Sequence, residues 1–205
     1  MPDLLIFPYN GNGLEALLCL GEDYNFIGFV DDTSSKLGKQ DSGHIVYDRK
    51  ALTDFSDAMV LAVPGSPTSF TFRKKIIDSL NLPISRFAKV IHPTAVVSPL
   101  ARLGINTLIM PGVVLTSNCV VGDHVCVLPN TVVHHDCKIG DYTLIGSGVC
   151  IAGNTIIGRN CYIGSGSNII NGITVGDESL VGMGSNVIKK LPAGSKAVGN
   201  PARKL

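Results

Sequence analysis

The chemistry this chain can perform is concentrated in one tripeptide, His134-His135-Asp136. An imidazole beside a carboxylate that fixes its tautomer is the pairing a general base requires. The tripeptide occupies turn positions of a repeating unit, so its side chains point outward. Eighteen residues to either side of His135 stand Ser117 and Gly153, and Asp136 lies between Asn118 and Asn154. The result is a titratable ring in a polar ladder, with a side-chain-free backbone one repeat away. Two exposed polar turn residues are the plainer alternative; the carboxylate beside the ring and the glycine above it favour function.

A second candidate lies near the start. Gly11-x-Gly13-x-x-Ala16 follows an apolar strand and opens a helix, with Asp31 and Asp32 about twenty residues on. Glycines there let a phosphate approach, and an acid can bind sugar hydroxyls or base nitrogens. The same residues fit a Gly-rich turn with no ligand. Three strands in so short a segment cannot hold a full dinucleotide fold, which disfavours NAD redox chemistry. The other histidines offer less: His124 reads as surface, His92 as packing near a domain junction, and His44 as solvated. Cys119, Cys137 and Cys161 fall at inward positions and read as small buried hydrophobes. Lys189-Lys190 faces either an anionic cofactor or water.

The element that must position His135 is a six-residue repeat. From Ile91 to Val187, every sixth residue is aliphatic, seventeen times without an insertion. Four residues after each hit comes a mostly small residue, such as Ala95, Thr107, Cys137 or Ser167. This is the signature of a hexapeptide β-helix. On an extended segment these two positions share a face, so both point inward while the residue between them points to solvent. Three short strands then close a triangular coil of 18 residues. Glycines recur at that spacing, at 104, 122, 140, 158 and 176 and at 146, 164 and 182. They predict prism corners whose dihedrals penalise a Cβ.

The first half reads as a small α/β unit with strands at Leu4–Tyr9, Phe26–Val30 and Ala58–Val63. Ten of twelve Phe and Tyr residues precede position 91, which places a boundary just past Pro83. The division expected is an α/β Rossmann-like domain over residues 1–88 and a β-helix with its C-terminal tail over 89–205.

Composition narrows the function classes. With 45% hydrophobic residues the chain is not disordered. Its 17 basic and 16 acidic residues give no footprint for nucleic acid or an anionic membrane. No apolar run approaches a membrane span, and the first residues lack the parts of a signal peptide. Six cysteines without a C-x-x-C pair suggest reduced thiols in a cytoplasmic protein.

With Val30-Asp31-Asp32, the hexapeptide run, Val133-His134-His135-Asp136-Cys137-Lys138-Ile139-Gly140-Asp141 and the tail Val198-Gly199-Asn200-Pro201-Ala202-Arg203, the whole chain resembles a known family. It is similar to the sugar acyltransferases of the sialic acid O-acetyltransferase type, which include N-acetyltransferases for nucleotide-linked 4-amino sugars. The resemblance implies a homotrimer of left-handed parallel β-helices with active sites between neighbouring prisms. It implies His135 as the base that takes a proton from the attacking amine and Asp136 as the carboxylate that raises its basicity. Gly153 would offer its N–H to the acetyl carbonyl, and acetyl-CoA would run past Leu144, Ser165 and Met183. The nucleotide would lie across Asn10-Gly11-Asn12, Asp31-Asp32 and the Pro64-Gly65 turn, with His134 beside the sugar. Three positions depart from the family pattern: the Tyr9–Gly13 turn lacks a histidine, Leu144 replaces one nine residues after the base, and His134 replaces an acid.

The activity implied is acetyl-CoA-dependent N-acetylation of a UDP-, GDP- or dTDP-linked dideoxy amino sugar for surface glycan biosynthesis, by direct transfer and without a metal. Sugar O-acetylation of the sialic acid type uses the same machinery. Carbonic anhydrase chemistry on this prism needs three histidines converging on zinc, and the histidine files do not supply them. A non-catalytic binding role would leave the thioester intact.

Overall fold

The computed structural model describes residues 1–205. From Val90 to Val187 the chain is a stack of two-residue strands, each hydrogen-bonded in parallel to the strand eighteen residues on, as in Val114↔Val132↔Cys150. Three sheets result. We call the one containing 90–91, 108–109, 126–127, 144–145, 162–163 and 180–181 the docking face. The second face runs from 96–97 to 186–187 and the third from 102–103 to 174–175. Inside, twenty buried residues from Ile109 to Val187 form one continuous core. Thr107, Thr131, Thr143, Thr155 and Ser167 are fully buried in the same files. The Thr107 hydroxyl donates to Gly104 within its own coil, and the other four donate to carbonyls of the coil above, as Thr131 does to Gly146 at 2.7 Å and Thr143 to Gly158 at 2.8 Å. A small hydroxyl residue is therefore as good as alanine there.

The periodic glycines are required for a different reason from the one expected. Gly104, Gly122, Gly140, Gly146, Gly158, Gly164, Gly176 and Gly182 do not have positive φ. Left-handed backbone falls at the last turn position instead, on Asn118, Asp136 and Asn154 at one corner and on Gly148, Gly166 and Gly184 at another. Asn and Asp tolerate that conformation. The periodic glycines sit where successive coils touch: a Cβ on Gly140 would lie 2.5 Å from the Gly158 carbonyl carbon, and one on Gly164 2.6 Å from the Met183 nitrogen. Backbone cannot yield there. Gly140→Ala is therefore expected to destabilise the fold by at least about 1–3 kcal/mol, the cost of overpacking. A thermal melt against the wild type checks it.

The N-terminal unit holds five strands rather than three: β1 (Asp3–Phe7), β2 (Asn25–Val30), β3 (Gly38–Lys39), β4 (Ile45–Tyr47) and β5 (Met59–Ala62), in the order β3-β4-β2-β1-β5. Only β3 is antiparallel. β3 and β4 are too short and polar to show an apolar run. Helices α1 (Gly11–Ala16), α2 (Ala51–Asp54) and α3 (Arg73–Asp78) complete the unit. The sheet's apolar side does not face water. Leu4, Ile6, Phe29, Leu61 and Val63 form one cluster with Val90, Leu108, Cys126 and Leu144 of the docking face. On this face the residues between inward positions are thus buried, not solvated, and the two units share a core.

Candidate active site

The corner between the second and third faces carries His134, His135 and Asp136 in the turn from Val133 to Lys138. The His135 ring, 57% exposed, has Nδ1 2.8 Å from Asp136 Oδ2. Asn118, one coil below, donates from Nδ2 to Asp136 Oδ1 at 3.0 Å. The hydrogen bond from His135, then that from Asn118, hold the Asp136 carboxyl below the usual range. An ionised Asp136 keeps the proton on Nδ1 and leaves Nε2 free to accept one. Its positive φ of 59° turns the backbone so that Asp136 can reach its neighbour's ring.

Gly153 roofs that ring. A Cβ on Gly153 would lie 2.6 Å from both Cε1 and Nε2 of His135. The chain leaves the Gly153 N–H without an acceptor, although the adjacent Asn154 N–H donates to the His135 carbonyl at 2.9 Å. One coil thus supplies a base and the next an unused amide donor beside it.

The other residues named from sequence divide among different places. Ser165 and Met183 stand on the corner between the docking and second faces, where Ser165 Oγ accepts from the Ser147 N–H at 3.1 Å and Met183 is 74% exposed. Leu144 is buried on the docking face, so within one chain it does not join Gly153. It instead lines a cavity of about 330 Å³ with Asn10, Gly11, Asn12 and Gly65. Tyr162, Leu128 and Ser66 also line it, and sequence reading missed them. Tyr162 follows Leu144 by one coil, and that outward apolar file was the available signal. Asp31 and Asp32 lie at an adjoining cavity of about 280 Å³ that shares Gly65. Both carboxylates are already engaged. Asp31 accepts from the Tyr9 and Thr33 N–H groups and from Lys36 Nζ, at 2.8–3.0 Å, while Asp32 pairs with Arg49. Burial works to raise Asp31, yet the Lys36 and Thr33 hydrogen bonds hold it below the usual range.

Two histidines contradict their expected setting. His44 packs edge-on against Phe26 and Phe29 rather than standing in solvent. His124 is buried, stacked on Tyr142 at 4.7 Å with Phe87 edge-on. Asn106 exchanges two 2.8 Å bonds with the Ala62 backbone and meets His124 Nδ1 at 3.0 Å. The Asn106 amide therefore donates to Nδ1, which makes the ring neutral. Burial pushes His124 below its ordinary 6.5, against the pull of Asp123. The unfolded chain then binds the proton first, so stability falls as pH drops below about 6.5 and stops falling below the folded value. Denaturant midpoints at pH 7.5 and 5.5 check this; His124→Gln is expected to flatten the difference.

No three His, Cys, Asp or Glu side chains of one chain converge as a metal-binding group, and no helix is long and apolar enough to cross a membrane. Residues 100–135 and 123–153 match the family model for bacterial transferase hexapeptides (six repeats), and 154–189 that for the hexapeptide repeat of succinyl-transferase. Curated proteins gave no match. Solved structures did. The acetyltransferase domain of PglB from Neisseria gonorrhoeae FA1090 is 28% identical, with TM-score 0.86 over 100% of both chains. A mutant of perosamine N-acetyltransferase from Caulobacter crescentus, in complex with CoA and GDP-perosamine, is 26% identical, with TM-score 0.85 over 100% of this chain and 97% of that one. WeeI from Acinetobacter baumannii AYE is 26% identical, with TM-score 0.83 over 100% of both chains. Repeats, architecture and these likenesses define a hexapeptide-repeat acetyltransferase, built from an α/β Rossmann-like domain and a left-handed parallel β-helix. Within that class, the chain is similar over its full length to the sugar N-acetyltransferases, in line with the resemblance to the sialic acid O-acetyltransferase type.

Proposed function

We propose that the protein transfers an acetyl group from acetyl-CoA to the amino group of a nucleotide-linked dideoxy amino sugar. The observation that carries this is the His135–Asp136 pair roofed by the free Gly153 amide. It gains weight from full-length similarity to an enzyme holding CoA and GDP-perosamine and to a PglB domain holding acetyl-CoA. His135 Nε2 takes a proton from the amine as its nitrogen attacks the thioester carbonyl. The Gly153 N–H donates to the tetrahedral oxyanion. Collapse breaks the C–S bond, and the departing thiolate takes the proton back from the imidazolium. Direct attack suits the thiols present: burial pushes Cys137 and Cys161 up to about 11, so neither is a ready thiolate.

The N-terminal cavities are the proposed home of the nucleotide, with Asn10, Gly11, Asn12 and Gly65 on one side and Asp31 and Asp32 on the other. They adjoin the docking face, whereas His135 stands on the opposite corner of the same prism. One chain cannot bring them together, so we place the complete site between copies in a homotrimer. Exposed Val96, Val120, Ile156, Ile170 and Ile188 supply apolar surface on the two uncovered faces and their shared corner. Acetyl-CoA would lie in that groove, against Ser165 and Met183. A cytoplasmic setting fits six free cysteines.

A thiol-release assay with acetyl-CoA tests the reading across UDP-, GDP- and dTDP-linked 4-amino sugars and free sialic acid. Release with one nucleotide-linked amine is expected. Release with sialic acid alone would transfer the assignment to O-acetylation, and no release with any acceptor would leave a binding role.

A further inference from the structure

The arginine that opens α3 is fully buried and forms no ion pair. Arg73 Nε donates to the Tyr142 carbonyl at 2.8 Å and Nη2 to the His124 carbonyl at 2.7 Å, while Nη2 also meets Cys126 Sγ at 3.6 Å. Its remaining nitrogen, Nη1, donates to the Pro64 carbonyl. The guanidinium thus ties two turns of the prism to the one N-terminal turn that walls both cavities, through Gly65. Burying an unpaired cation is costly, and an apolar side chain would fill the space at lower cost. Only a planar fork of donors can hold three separated carbonyls at once.

We infer that Arg73 is a positioning residue for nucleotide binding: it sets the plane of the Pro64–Gly65 peptide, and so the aim of the Gly65 N–H, from the frame of the β-helix. The peptide is trans, so with Pro64 oxygen on the guanidinium the Gly65 N–H points away from it. That N–H has no acceptor within the chain. A donor held in this way suits a phosphate or sugar oxygen. Gly65 is itself fixed by the contact: its φ is +125°, and a Cβ there would lie 3.0 Å from Arg73 Cγ and Cδ. Asn12 closes the turn from the other side, with Nδ2 3.4 Å from the Gly65 carbonyl.

This assignment rests on the nucleotide-sugar reading, and the test separates the two. UDP, GDP, dTDP and CoA are titrated calorimetrically into wild type, Arg73→Met and Arg73→Lys, alongside melting curves and steady-state kinetics. For the diphosphate that binds wild type, Arg73→Met is expected to weaken binding about tenfold, the share of one hydrogen bond to a charged group. CoA affinity and kcat at saturating substrate are expected to stay within about threefold of wild type, a split that general destabilisation does not produce. Arg73→Lys keeps the charge but loses the fork, and is expected to fall between. Unchanged diphosphate affinity in a folded variant, or equal losses for CoA, would overturn the assignment. Should Arg73→Met not fold, Arg73→Lys decides by the same selective loss. If wild type binds none of the three diphosphates, the nucleotide-sugar reading falls and this assignment with it.

Discussion

Replacing His135 with alanine is expected to lower turnover by at least about 10²-fold, the lower end for a general base, while leaving the melting temperature and both KM values close to wild type. The ring is more than half exposed, and its side chain makes no hydrogen bond other than that to Asp136. Its removal therefore opens no cavity and strands no donor. The amine nitrogen must lose a proton as it bonds to the carbonyl carbon, and His135 Nε2 is the group that takes it. Asp136, held ionised by His135 and Asn118, stabilises the imidazolium that forms. Steady-state kinetics with both substrates varied checks the outcome; near-normal kcat in the variant would remove His135 from the chemistry.

Gly153→Ala is expected to cost about 10²-fold as well, although it deletes nothing. The added methyl would stand 2.6 Å from Cε1 and 2.6 Å from Nε2, the nitrogen that takes the proton. Backbone on both sides is fixed by coil-to-coil bonds, including Asn154 N–H to the His135 carbonyl at 2.9 Å, so the ring must rotate away. Rotation breaks the 2.8 Å contact with Asp136 and parts Nε2 from the Gly153 amide, and a displacement of about 1 Å at a reacting group can cost 10²-fold. The readout is kcat together with the His135 ring's position by crystallography or its proton shifts by NMR. A normal rate with an undisplaced ring would refute the geometric argument.

The prism was legible because its rule is local: each inward position repeats every six residues and each contact every eighteen, so spacing alone assigns the core from Ile109 to Val187. His135, Asp136 and Gly153 fell out of the same arithmetic, since a coil of known length fixes what lies above what. The arithmetic gave the position of the corner glycines but not their cause, because a dihedral argument does not show that a Cβ there would lie 2.5–2.6 Å from the backbone of the next coil. It also missed that one face is covered. Leu108, Cys126, Leu144 and Tyr162 are apolar at outward positions eighteen apart, a file that marks the docking face. Reading them as solvent-facing left His124 on a surface it does not occupy. What no spacing discloses is long-range pairing: Arg73 with the carbonyls of Pro64, His124 and Tyr142, and Asn106 with the Ala62 backbone. Neither partner set carries a motif, because carbonyls belong to every residue type.

An acetyltransferase of this kind makes an amide on a nucleotide-linked sugar. The most direct measurement is the product itself: purified protein, acetyl-CoA and a nucleotide-linked 4-amino sugar, resolved by mass spectrometry and NMR. One acetyl group on the sugar nitrogen is expected for each CoA thiol released, with loss of that product in His135→Ala. Acetyl found only on a hydroxyl, or an unchanged sugar with every nucleotide carrier, would contradict it.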